Sequence, residues 1–122
     1  MGTKHSLGKS FGFAFDGFKE AVASGRNFKI QLFFGLLAIL FGFVFKITNV
    51  EWLFIILTTS LVLILELINT SLESIVDLIS PEIHEKARIA KDVAAAAVLV
   101  ASVTSIVIGL IIFLPKILVG VQ

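Results

Sequence analysis

Residues 93–114 are twenty-two consecutive positions without a charged side chain, ended by Pro115 and Lys116. As helix that run rises about 33 Å, enough to cross the hydrocarbon core of a bilayer. A chain of only 122 residues cannot enclose such a helix. Soluble domains of this size bury about 60–70% of the surface their unfolded chain exposes. Hydrophobic residues make up 57% of the sequence, charged residues 16%, and the mean hydropathy is +1.05. These values exclude intrinsic disorder and point to an all-α membrane protein.

Two more apolar runs precede this one. IQLFFGLLAILFGFVF, residues 30–45, is bracketed by Lys29 and Lys46 and rises about 24 Å, a shortfall that snorkelling lysines make up. The second runs from Trp52 to Ile79 and is interrupted by three acids. The pattern predicts spans over about 29–46, 52–79 and 92–115, within a single domain covering 1–122. Ser80-Pro81-Glu82 reads as the start of a helix, with Ser80 as cap and Pro81 in the first turn. Ahead of the first span, Phe11, Phe15, Phe18 and Val22 recur at helical spacing, with Lys9, Asp16, Lys19 and Glu20 mostly opposite. A surface helix over about 8–24 is expected, although Gly12, Gly17 and Phe13 break the pattern. No cleavable leader is expected, because the first apolar run begins only after residue 29.

Lys4, Lys9, Lys19, Arg26 and Lys29 precede the first span, and Lys86, Arg88 and Lys91 lie between the second and third. Only Lys46 and Lys116 fall on the other side. This asymmetry places the N-terminus and the 80–92 connection in the cytoplasm and the C-terminus outside. Absence of cysteine removes disulfides and thiolate chemistry, and a net charge of +1 is too small for nucleic-acid binding.

Within the second span, Glu66, Asn69, Glu73 and Asp77 are spaced 3, 4 and 4 residues apart and fall on one face. Carboxylates in hydrocarbon are costly and mark functional sites by default. If Trp52 marks the outer interface, Glu66 lies about 21 Å inward and Glu73 about 31 Å. Glu73 and Asp77 then meet water and divalent ions, while Glu66 lies near the depth of a lipid's first hydroxyl. A poorly solvated carboxylate is a stronger base than one in water, which suits it to take an alcohol proton. The connection Glu82–Asp92 adds cations for phosphate, so the parts of a phosphoryl transfer between a membrane alcohol and a soluble donor are present. Other readings of the same residues stay open. The stripe could dock a basic partner helix in a non-catalytic membrane subunit, or Glu66 could carry protons in a small transporter. The loop charges could be a solvated connection, and Ala94–Ala97 with Ala101 a smooth packing surface. There is no glycine-rich phosphate loop, and His84 has no second histidine at ligand spacing.

ELINTSLESIVD (66–77) and ARIAKDVAAAAVLVA (87–101) closely resemble the signatures of the prokaryotic integral-membrane diacylglycerol kinase family. RNFKIQ and GLIIFLPKI look more like its Gram-positive branch, whose acceptor is typically undecaprenol. The resemblance implies a bacterial inner-membrane homotrimer with sites shared between subunits, phosphorylating undecaprenol or, as the alternative, diacylglycerol with ATP and Mg2+. It implies Glu66 as general base, Asn69 beside it, and Glu73 on the metal. Lys9, Glu73, Glu82, His84, Lys91 and Asp92 are implied around ATP, with Glu66 and Ala95 beside the lipid. At the family's second metal-binding glutamate this chain has Gly25, with Glu20 as a possible substitute, so Gly25→Glu is expected to raise activity or tighten magnesium use.

Overall fold

The computed structural model describes residues 6–82 and 84–121. Lys4, one of the basic residues counted above, and Ile83 of the connection lie outside them. Four helices follow in order: α1 Leu7–Ser24, α2 Arg26–Val44, α3 Asn49–Ile79 and α4 Glu85–Val121. The last three are each long and apolar enough to cross a membrane. The chain is a multi-pass membrane protein.

α1 forms despite its three glycines because the Ser6 hydroxyl caps it, accepting from the Lys9 N–H at 3.3 Å. It ends at Gly25, whose N–H bonds the Ala21 carbonyl at 2.8 Å. Ala21 is buried and Phe28, on the first turn of α2, is completely so, its ring set edge-on to Phe18 at 5.1 Å. This contact docks α1 on α2.

α2 and α3 make an antiparallel hairpin. α2 closes with a Schellman turn: the Ile47 N–H reaches the Gly42 carbonyl at 3.2 Å and the Lys46 N–H the Phe43 carbonyl at 3.4 Å. That turn needs a left-handed residue, and Lys46 supplies it with φ 51°. α3 then opens with a capping box, the Thr48 and Glu51 side chains each bonding the other's backbone N–H. Ile47, Ile55, Ile112 and Phe113 form the buried core at this end, with Phe41, Phe45 and Trp52 packed around it.

Two glycines a heptad apart on α2 set how closely α3 approaches. A Cβ on Gly35 would lie 2.7 Å from Thr59 Cγ2, and one on Gly42 would lie 2.5 Å from the Trp52 ring. α3 packs most extensively on α4, also antiparallel, with an ion pair at either end: Asp77–Lys91 and Glu51–Lys116. Gln31 of α2 donates to the Ser102 hydroxyl of α4 at 2.7 Å, satisfying an amide that lipid would leave unpaired. Most other large apolar side chains face outward, as Leu57 and Ile111 do.

The expected helix start at Ser80-Pro81-Glu82 is corrected: Ser80 and Pro81 are not helical, and α4 starts at Glu85. Ser80 is instead the C-cap of α3, its N–H on the Val76 carbonyl, and its hydroxyl donates to the Glu82 carbonyl. His84 takes the capping role at α4: Nδ1 accepts from the Lys86 N–H at 3.1 Å. α4 also continues through Pro115 to Val121. Proline there leaves the Ile111 carbonyl without its ladder donor, a loss that neighbouring groups offset in spanning helices, and the Lys116 ammonium lies 3.3 Å from the adjacent Ile112 carbonyl.

Candidate functional site

α3 carries Ile55, Val62 and Glu66 on its buried face. Glu66 is only 4% exposed, and it is the sole buried charged residue among those described. Its position follows from the helix: 7 and then 4 residues along an apolar stripe bring an acid to where an aliphatic side chain would sit. The rest of the stripe climbs out of the protein over about 16 Å. Asn69 is half-buried, while Glu73 and Asp77 are exposed.

Two oxygens at the deep end have no hydrogen-bond partner among the described residues, Glu66 Oε1 and Asn69 Oδ1. A buried polar atom left unpaired costs on the order of 1–3 kcal/mol, and more when charged. Asn69 is oriented by its amide, which donates to Glu73 Oε1 at 3.3 Å. Its carbonyl oxygen therefore stays directed away from that contact. Thr70 and Ser74 turn their hydroxyls back onto the Glu66 and Thr70 carbonyls.

At the open end, the last turn of α3 and the first turns of α4 enclose a cleft of about 260 Å³. Asp77, Glu82, His84, Arg88 and Lys91 line it. The Lys91 ammonium meets Asp77 Oδ1 at 2.5 Å. Arg88 bridges Glu85 and, at 2.8 Å, Asp92, both on its own helix. Asp92 is thus held by Arg88, which the sequence placed only among the cations of the connection. The i, i+4 spacing of Arg88 and Asp92 was the signal for that pair.

The remaining predicted positions lie apart from this line. Lys9 is exposed at the start of α1, and Ala95 is exposed on α4. Glu20 lines a separate groove between α1 and α3, opposite Thr70, Ser71 and Ser74. Gly25 offers no ligand, and a Cβ there would sit 2.7 Å from the Ala21 carbonyl oxygen and 3.2 Å from Phe28 Cβ.

Among the described residues of one chain, no three His, Cys, Asp or Glu side chains converge as a metal cage. Magnesium does not need one, since it usually takes one or two carboxylates and completes its shell with water and substrate phosphates. The exposed Glu73 carboxylate is a hard donor of that kind, and it fits such an ion.

Residues 12–113 match the family described as prokaryotic diacylglycerol kinase. The chain is 41% identical over 108 residues to the undecaprenol kinase of Bacillus subtilis, covering 88% of each chain. It is 42% identical over 110 residues to a diacylglycerol kinase of Synechocystis sp., covering 89% of this chain and 63% of that one.

Proposed function

The chain belongs to the prokaryotic diacylglycerol kinase family, and from that premise we propose that it is a lipid kinase that moves the γ-phosphoryl group of ATP onto undecaprenol. The observation that carries the reading is the buried Glu66 carboxylate with its unpartnered oxygen, at the foot of a polar stripe that opens on a cleft holding Arg88 and Lys91. An apolar alcohol arriving laterally through the bilayer places its hydroxyl against Glu66. That hydroxyl supplies the missing hydrogen-bond donor. As its oxygen attacks the γ-phosphorus, Glu66 takes the proton, the bond to the ADP oxygen breaks, and the lipid phosphate forms. Asn69 orients the hydroxyl and the phosphoryl group, and Lys91 balances phosphate charge.

Glu73 would hold Mg2+, whose chemistry is to neutralise the charge of the transferring phosphate. Lys9, Glu82, His84 and Asp92 surround the nucleotide in this reading, and Ala95 flanks the lipid. α1 lies in the cytoplasmic headgroup layer, with Phe11 and Phe15 directed into it. The N-terminus and the α3–α4 connection are cytoplasmic and the C-terminus is outside. Three copies assemble, and Lys9 and Glu20 reach the stripe of a neighbouring subunit. Undecaprenol is favoured because the Bacillus relative bears that name and matches this chain over most of both lengths. The Synechocystis relative supports diacylglycerol as the second reading.

The test is phosphate transfer from labelled ATP in mixed micelles, with undecaprenol and diacylglycerol side by side. Undecaprenol should be the faster acceptor, and Glu66→Gln should lower turnover by about 10²-fold or more while the oligomer stays intact. Parental turnover by Glu66→Gln removes the assigned base, and no transfer to either lipid by the parent removes the kinase reading.

A further inference from the structure

Asp77 closes the polar stripe of α3, yet the phosphoryl transfer described above gives it no task. Its position does. Asp77 stands on the last turns of α3, and its carboxylate takes the Lys91 ammonium across the cleft from α4. Both residues line that cleft, with Arg88, Glu82 and His84 as its other charged or titratable groups. Arg88 is held by Glu85 and Asp92 of its own helix. Of the two cations in the cleft, Lys91 alone is fixed by a carboxylate from the opposite wall.

We infer that Asp77 is a positioning residue for nucleotide binding: it holds the Lys91 ammonium at the cleft mouth, where the phosphates of a nucleoside triphosphate dock. The inference rests on the kinase reading. A lysine side chain has several freely rotating bonds and a compact charge without preferred geometry, so an unpaired one samples many positions. The ammonium has three donors, and one spent on Asp77 leaves two for phosphate oxygens. Pairing before the ligand arrives removes freedom that binding would otherwise have to remove. It also ties the cleft walls together, so phosphate binding and the α3–α4 approach are coupled through one contact.

The experiment is an ATP titration at saturating lipid and Mg2+ together with equilibrium binding of ADP, on the full-length chain in micelles. Asp77→Asn should raise the KM for ATP and weaken ADP binding about tenfold, leaving kcat within twofold. Asp77→Glu, which keeps the charge, should recover most of the loss. A tie that only stabilises the fold would lower the thermal midpoint and leave the KM alone. The cycle with Lys91→Met decides whether Asp77 acts through Lys91: added to Lys91→Met, Asp77→Asn should weaken ADP binding no further. Unchanged KM and ADP binding in Asp77→Asn, or a full additional loss in the double variant, overturns the inference. A parent chain that transfers phosphate to neither lipid refutes the kinase reading, and ADP binding still judges Asp77 in that case.

Discussion

A helix that carries a carboxylate at 4% exposure with one oxygen unpaired holds a group that something outside the chain must meet. The spacing of Glu66, Asn69, Glu73 and Asp77 made this visible in the sequence, because a helix converts 3- and 4-residue steps into one face. What occupies Gly25 is a different kind of fact. From the motif alone, a glutamate there looks like a missing ligand. The backbone argues the other way, since any Cβ would press on the Ala21 carbonyl at 2.7 Å. Gly25→Ala should therefore destabilise the α1–α2 junction by about 1–3 kcal/mol, as overpacked sites do, seen as a lower thermal midpoint in micelles. Gly25→Glu should share that loss without gaining turnover. A variant with higher turnover and an unchanged midpoint would show that the junction yields freely. Lys91 illustrates what stays hidden at this scale. Its partner Asp77 lies fourteen positions away across a turn, and no periodicity links the two.

At the level of the helices, the sequence read well where apolar period and capping agreed. α3 begins three residues before Trp52, at the Thr48–Glu51 capping box, and ends at Ile79. It read poorly where polar residues support a helix. Glu85, Lys86, Arg88, Lys91 and Asp92 look like a solvated connection, yet Arg88 bridges both acids at helical spacing and His84 caps the first turn. Pro115 and Lys116 look like a stop, yet Lys116 folds back to Glu51 and the Ile112 carbonyl. The α2–α3 hairpin yields two sharper expectations. Lys46 adopts a left-handed conformation that glycine takes without strain, so Lys46→Gly should stabilise by about 1 kcal/mol and raise the thermal midpoint. Gly42→Ala should do the reverse. Its new methyl would lie 2.5 Å from the Trp52 ring, and the ring or the helix must move. The loss should be about 1–2 kcal/mol after the helix-propensity gain is subtracted, with Trp52 fluorescence shifting alongside the midpoint. Unchanged fluorescence would mean that the close approach of α2 and α3 is not set there.

Across the whole molecule, the two ion pairs between α3 and α4 stand about 39 Å apart along α3 and about 38 Å along α4. That separation exceeds a ~30 Å hydrocarbon core and falls just short of the full bilayer with its headgroups. The pairs are thus far enough apart to flank such a core, and together they fix the register of the two longest helices. The pairs differ in what surrounds them. Glu51–Lys116 borders the aromatic core of Phe41, Phe45, Trp52 and Phe113, with side chains only 23% and 30% exposed. Asp77–Lys91 borders the open cleft. Breaking the first should therefore loosen the fold, and breaking the second should alter nucleotide binding. Glu51→Gln separates the issues, because glutamine still completes the capping box and only the ionic contact with Lys116 is lost. It should lower the thermal midpoint by a few degrees while leaving the KM for ATP within twofold, the opposite of the pattern expected for Asp77→Asn. Should Glu51→Gln raise that KM as much as Asp77→Asn does, the two ends are coupled through a shared tilt of α4, and the division between a structural end and a binding end fails.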